Sequence, residues 1–550
     1  MNKRILIWMV CGFFLSSCSD WLDVMPKESI VETDLFKEST GFQNALNGVY
    51  EQMASTDLYG RELTFGMLDA MGQVYFLENE SYYVNSAIKS YHFYYQAAKF
   101  DYNANEDIKK AFNSVWLTAY NTIANCNNII NKIETLKPED FRLGEAERGM
   151  IKGEAMAARA LLHFDLLRLF APAPVHDDGE QRVPYVEDYP SIQPNGIGVK
   201  PFLEKVIRDL NTAQKLTIDF DTTALGMSMN ASGKARFYGE LEYGMEGYQK
   251  EGEIDGFYLG RGFRLNYYAI TALLARVYQY AGMYEEAFHT ADTVLNFKAT
   301  GTGNTYEMYS KDDFGGIQVD GYEEKNDLKC ISNLIFAIYN EEAYNDYNLG
   351  SFFQKKADGM NQGNWLMLDL ENQKIFQRSD ESMDESQVDI RSRYLLYKPE
   401  DHSIGENYKI SAKWYCSDDM EIRKKNVQVL PVIRTTEMRY IMAEYYARNQ
   451  QFNEAYGILN TIRQARSTFA EIPGEGGNVE WKTMEELPVA QNYETFQKDL
   501  IRDAQREWIS EGQLFYLYKR LDAKIYFEEG EIRALNKSEY MLPVPDDQSM

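Results

Sequence analysis

The strongest constraint on the fold is a repeat carried at an offset of 168 residues. Residues 265–295 (LNYYAITALLARVYQYAGMYEEAFHTADTVL) and 437–466 (EMRYIMAEYYARNQQFNEAYGILNTIRQAR) set Leu274 on Met442, Ala275 on Ala443, Tyr278 on Tyr446, Tyr284 on Phe452 and Ala287 on Ala455. A large apolar residue, a small one and an aromatic on a first helix, then an aromatic and an alanine opening a second, is the tetratricopeptide pattern. The alanines let two helices approach closely, and the bulky side chains fill the groove between them. Each pair leaves an apolar face uncovered, so pairs distant in sequence can stack into one core.

A third pair is predicted upstream. Phe112, Trp116, Tyr120, Ile123 and Ile130 share one face of a helix over 109–133, and Ala155, Ala158, Leu162, Leu166 and Leu169 keep helical spacing over 145–170. Pro172 and Pro174 end that helix. A further helix is expected at 494–521. The fold class is therefore mainly α: a tetratricopeptide-like helical-repeat superhelix with long irregular insertions. We expect a single domain over 18–550, with repeat pairs near 109–171, 265–296 and 437–466 and insertions at 60–105 and 300–430.

The N-terminus reads as an export signal. Lys3 and Arg4 precede Ile5 to Leu15, an apolar run shorter than the roughly 20 residues a membrane-spanning helix needs. Leu15-Ser16-Ser17-Cys18 has the form of a lipobox, which predicts a lipoprotein signal peptide over 1–17 and lipidation of Cys18. Two or more acyl chains anchor a protein stably where one binds only marginally. The chain has 550 residues and a net charge of −27; without Lys3 and Arg4 the balance is 55 basic against 84 acidic groups, or −29. Such a surface repels nucleic acid and anionic headgroups. Beyond Cys11 and Cys18 only Cys126, Cys330 and Cys416 remain, so the core, not disulfides, is expected to hold the fold.

Signals for catalysis are weak. The five histidines are isolated, without HExxH or comparable metal spacing, and His163 falls on an apolar helix face as a core histidine would. Residues 260–266 (GRGFRLN) lack the spacing of a phosphate loop and read as a turn into the first repeat. Neither 253–256 nor 311–316 supplies the roughly six to eight oxygens calcium takes, although a structural calcium stays open. The expectation is a protein that is not an enzyme, with no cofactor, no metal ligands and no catalytic residues. Two stretches are rich in aromatics interleaved with amides, which suits an oligosaccharide: flat faces stack on sugar rings and amides bond the hydroxyls. They are 75–95 and 339–365, and the ligand-binding candidates drawn from them are Tyr75, Tyr82, Tyr83, Tyr91, Asn361 and Trp365. Tyr339, Tyr344 and Tyr347 lie in the second stretch. With 40 tyrosines in the chain, most of these rings are packing residues.

Five segments, in order from end to end, carry a family resemblance. The start of the mature chain, CSDWLDVMP (18–26), resembles that of SusD/RagB lipoproteins. Residues 152–174 (KGEAMAARALLHFDLLRLFAPAP) are similar to that family's GEA…RA…PxP helix, and 434–444 with Leu459-Asn460…Ile462-Arg463 to its second repeat. Arg506-Glu507…Glu511-Gly512…Lys519-Arg520 and Leu542-Pro543-Val544-Pro545 resemble its closing segments, with departures at Gln505 and Gln513-Leu514. The resemblance implies a surface-exposed, lipid-anchored protein of the outer membrane of Bacteroidota. It would face the extracellular side, bind oligosaccharide nutrients on its irregular insertions, and act as a lid on a SusC-like TonB-dependent transporter. A RagB-type peptide-binding lid is the alternative within the family. A helical-repeat scaffold that binds only proteins is the alternative outside it; it would bury the aromatics and leave its concave face open.

Overall fold

The computed structural model describes residues 35–77, 92–191, 195–241, 254–299, 304–314, 316–319, 322–325, 327–355, 365–400, 404–416, 420–473, 479–527 and 531–545. Helices dominate. Besides several short helices, the main ones in chain order are α1 (Ser39–Met53), α2 (Glu106–Lys132), α3 (Glu145–Phe170), α4 (Val199–Asp221), α5 (Tyr267–Tyr280), α6 (Tyr284–Leu295), α7 (Thr435–Arg448), α8 (Phe452–Ala465), α9 (Tyr493–Glu507) and α10 (Leu514–Leu521). Helices α2 to α8 stack in sequence order, each on the next, so the pairs form one continuous layer. A single cluster of buried apolar side chains runs from Phe36 to Leu542.

The repeat inferred from the 168-residue offset is present down to its torsion angles. Ala275, Ala287, Ala443 and Ala455 are all buried at the helix contacts. Gly282 and Gln450, equivalent at that offset, both turn the chain with positive φ, at 79° and 61°. Met283 and Gln451 then open α6 and α8 with φ/ψ of −88°/68° and −91°/65°. Gln450 carries a Cβ in the left-handed region and Gly282 does not, so Gln450 is the strained member of the pair.

Helix α3 is buried on nearly every side because α2 and α4 flank it and the chain's C-terminal end covers it. Gly149 and Gly153 permit the approach of α4. A Cβ on Gly149 would lie 2.8 Å from the Leu216 carbonyl oxygen, and one on Gly153 would lie 2.7 Å from Thr217 Cγ2. Its polar residues are paired inside: Arg159 with Asp209, Arg168 with Asp165, and Glu154 with Arg261 at 2.7 Å. The resemblance motif at 153–159 is thus a packing and pairing motif.

Helix α4 was not read from the sequence. Its apolar positions Phe202, Leu203, Val206, Leu210 and Ala213 are buried, but they are diluted by charges and follow Pro201. The helix expected over 494–521 is two helices, a correction whose cause is tertiary. Ser510 and Gly512 have φ of 60° and 69°. A Cβ on Gly512 would meet the Leu63 carbonyl oxygen at 2.4 Å, and its N–H donates to Asp69 Oδ1 at 2.9 Å. The chain bends there so that Glu511 can reach Arg434 and Lys413.

That bend belongs to a buried ionic network. Glu507 takes Arg391 and Arg466, Arg506 pairs with Glu385 and Asp389, and Arg463 also reaches Glu385. It ties the second repeat and α9 to the insertion around 385–391. Buried pairs of this kind contribute little net stability against an apolar substitute, but losing one partner strands the other. The insertion also supplies strand β1 (Leu334–Tyr339), antiparallel to β2 (Val429–Arg434), which runs directly into α7. Met367–Asp369, Tyr408–Ser411 and Leu396–Tyr397 form a small three-stranded sheet. Among the described residues no helix is long and apolar enough to cross a membrane, and Cys126, Cys330 and Cys416 are buried free thiols.

Candidate functional site

Four segments, one of them Phe237 to Gly239, meet at an open cleft of about 1000 Å³. The C-terminal end of α1 supplies Asn47, Tyr50 and Glu51; the 256–264 segment supplies Phe263 and Arg264; the end of β1 and the turn after it supply Tyr339 to Tyr347. β1 emerges from the core at Tyr339. Leu334 to Ile338 are buried and Tyr339 is 45 % exposed, so the ring stands at the point where the strand meets solvent. It leans on Phe263, ring centroids 5.2 Å apart, which in turn packs edge-on against Phe237 at 5.0 Å. Partial burial and Glu341 raise the Tyr339 phenol above the usual tyrosine value, leaving it a neutral hydrogen-bonding group.

The turn after β1 is held to α1. The Tyr347 hydroxyl donates to the Ala54 carbonyl oxygen, and Asn340 Nδ2 donates to Tyr347 Oη at 2.7 Å and to Asp346 Oδ2 at 2.9 Å. On the opposite wall the Arg264 guanidinium lies between the rings of Tyr50 and Phe257, 4.8 and 4.9 Å from their centroids. Its Nη2 donates to Asn47 Oδ1 at 2.5 Å. An exposed ring beside amides and carboxylates can stack a flat apolar ligand face and bond the hydroxyls around it.

Two of the residues singled out from the sequence are core residues instead. Tyr75 is 2 % exposed, its hydroxyl bonded to the Phe65 carbonyl oxygen at 2.7 Å. Trp365 is 1 % exposed, packed with Met367, Ile404 and Ile410, and its Nε1 donates to the Gln354 carbonyl oxygen at 2.7 Å. A ring whose faces and N–H are already occupied cannot stack a ligand. Tyr82, Tyr83, Tyr91, Asn361 and Cys18 lie outside the described residues. The cleft falls at the start of the 339–365 stretch, on Tyr339, which is named in that stretch but is not one of the six candidates. The signal was present: the apolar run LIFAI ends at a tyrosine followed by Asn-Glu-Glu, the pattern of a strand leaving the core.

His163 is a core histidine. Burial and Arg159 push its pKa well below the usual value; Nδ1–H donates to the Arg159 carbonyl oxygen at 3.0 Å and Nε2 accepts from the Val186 N–H at 2.9 Å. Residues 260–266 do form a turn into α5, with Arg261 buried against Glu154 and Asp221. The inner groove of the repeats is filled by the chain itself. Leu500, Trp508, Tyr516 and Arg520 of the C-terminal segment face Arg276 and Glu444 there, leaving a gap of about 40 Å³.

Residues 20–223 match the model of a SusD-like family described as starch-binding and associating with the outer membrane. Among curated proteins none matches the chain in sequence. Solved structures similar to it include a SusD superfamily protein from Bacteroides thetaiotaomicron VPI-5482, at 19% identity and a TM-score of 0.59, covering 91% of this chain and 92% of that one. A SusD-like carbohydrate binding protein from Bacteroides vulgatus ATCC 8482 is similar at 16% identity and a TM-score of 0.61, over 92% of this chain and 95% of that one. A SusD-like protein from Bacteroides fragilis NCTC 9343 is similar at 15% identity and a TM-score of 0.58, over 96% and 98%. Over residues 20–223 the sequence matches a SusD-like family model, and along most of its length the chain is similar in fold to SusD superfamily structures.

Proposed function

We propose that this chain captures oligosaccharides in the Tyr339 cleft and does no chemistry on them. The observation that carries the reading is a half-exposed aromatic ring, backed by a second ring, at the wall of an open cleft bordered by amides and carboxylates. The family description of starch binding agrees in ligand class. In this reading Cys18 carries the lipid that holds the protein at the outer face of the outer membrane, residues 18–550 act as one domain, and a SusC-like TonB-dependent transporter receives the ligand. The protein-binding scaffold is less well supported, because its groove is occupied by α10 and the residues before it.

Titration calorimetry of the mature protein against a panel of oligosaccharides tests the cleft. Tyr339→Ala is expected to weaken binding at least about tenfold, the loss of roughly 1.4 kcal/mol of stacking, against a total of about 4–8 kcal/mol for a micromolar to millimolar site. An exposed strand end tolerates truncation, so the melting temperature should stay within a few degrees. Unchanged affinity would move the site elsewhere. Cys18→Ala is expected to shift the protein from the membrane to the soluble fraction; continued retention would remove the anchor from the reading.

A further inference from the structure

We infer that the cleft selects uncharged or amine-bearing oligosaccharides and rejects acidic ones, an inference that rests on the binding reading above. Four carboxylates line it: Glu51, Glu341, Glu342 and Asp346. All four residues are exposed, and none takes part in an ion pair among the described residues. Their bonds are to amides: Asp346 accepts from Asn340, and Glu342 Oε2 accepts from Asn345 Nδ2 at 3.2 Å. Hydrogen bonds from neutral amides leave the charges in place.

The one guanidinium lining the cleft does not offset them. Arg264 has a side chain only 12% exposed, and its Nη1 lies 3.9 Å from Glu154 Oε2. It lies against the Tyr50 and Phe257 rings with Nη2 given to Asn47, and Nη1, though without a hydrogen-bond partner, is buried near Glu154, so little of the group is accessible to an incoming carboxylate or sulfate. Its positive charge is shared with buried Glu154, while the surface of the whole chain adds the same sign as the four acids, at a net −27.

Among the described lining residues, a uronate or sulfate ester meets four like charges against the single, largely buried Arg264; the Lys425 ammonium lies over the Tyr238 ring, 5.3 Å from its centroid, outside that lining. A neutral sugar brings hydroxyl donors, and ionised carboxylates are the stronger acceptors for them. A protonated amino sugar adds attraction. Since the carboxylates are exposed, the discrimination is screened: it is greatest at low salt, where the Debye length is roughly 20–30 Å, and shrinks toward about 3 Å at 1 M.

An oligosaccharide array decides it, carrying neutral xylo-, manno- and gluco-oligomers, deacetylated chito-oligomers, and oligogalacturonate, alginate and sulfated oligomers. The mature protein is applied at low and at high salt. The expected result is binding to neutral or amine-bearing oligomers, with acidic ones at least about tenfold weaker at low salt. Glu51→Gln, Glu341→Gln, Glu342→Gln and Asp346→Asn combined should weaken neutral binding, since amides accept hydroxyls less strongly than carboxylates, and bring acidic oligomers level with neutral ones at low salt, so that the salt-dependent discrimination is lost. An acidic oligomer as the tightest ligand, weakened by Tyr339→Ala, overturns the selectivity and leaves the binding reading standing. Capture of nothing on the array overturns the binding reading and this inference with it.

Discussion

Glu507→Ala is expected to lower stability by about 3–5 kcal/mol, the cost of leaving buried charge without its partner. Glu507 is fully buried; its carboxylate takes Arg466 at 2.8 Å and Arg391 at 3.2 Å, the Tyr309 hydroxyl at 2.9 Å and Thr436 Oγ1 at 2.7 Å. Alanine leaves Arg466, which has no exposure of its own, without its carboxylate, and takes one carboxylate of three from the equally buried Arg391. In a chain of 550 residues the entropy of unfolding is large, so a kcal/mol moves the melting temperature by only roughly 1 °C; the denaturant midpoint is the better measure. The pH dependence has the same origin. Burial opposes ionisation of Glu507, but Arg466 and Arg391 outweigh it and hold the carboxyl well below the usual range. Arg463 and Arg506 outweigh burial at Glu385, and Arg520 and Arg448 at Glu444, bringing each down to about 2. A depressed carboxyl stabilises the fold above its unfolded value, near 4.3, and that stability drains as pH falls toward the folded value. Wild type should therefore weaken steeply from about pH 5 downward, and the variant less steeply. A midpoint unchanged at pH 7 would mean that the arginines find other partners.

Trp365→Ala is the second large effect, about 3–5 kcal/mol by the usual cost of deleting a buried tryptophan. The sequence had suggested the opposite, an exposed ring whose loss would spare stability. Indole burial against Met367, Ile404 and Ile410 reverses that expectation, and the Gln354 carbonyl oxygen loses its donor as well. That cluster is separate from the main core. Hydrogen exchange over 367–369 and 408–411 should accelerate before the helices respond, since local units open on their own. A melting curve and exchange pattern matching wild type would place the ring outside the core after all.

Trp365 and Tyr339 together show where the sequence stops speaking. Both sit among asparagines and acids in the same insertion, and nothing in local composition says which ring faces water. Their difference is tertiary: a three-stranded sheet closes over one, while β1 carries the other past the edge of the core. The helix pairs were legible because their constraint is local and periodic. Alanines at fixed offsets and a turn at Gly282 and Gln450 specify close helix packing wherever the segments end up. Helix α4 escaped because its apolar stripe is spaced among lysines and aspartates, and it is recognised only by the glycines of α3 that receive it. The break at Ser510–Gly512 escaped because its cause, Glu511 reaching Arg434 and Lys413, joins residues 77 and 98 positions away. Phe263 and Arg264 were read only as a turn, since their partners Tyr339 and Tyr50 come from elsewhere in the chain.

The cleft has no segment of its own. One wall belongs to the first described helix, another to Phe237–Gly239 and the loop that precedes α5, and the third to a strand that continues, through its partner, into α7. A ligand settling there would touch separate parts of the polypeptide simultaneously, so its binding would act as a clasp on the molecule and add resistance against unravelling. The same arrangement lets natural variation retune what is captured by altering one wall while the stacked helices stay as they are.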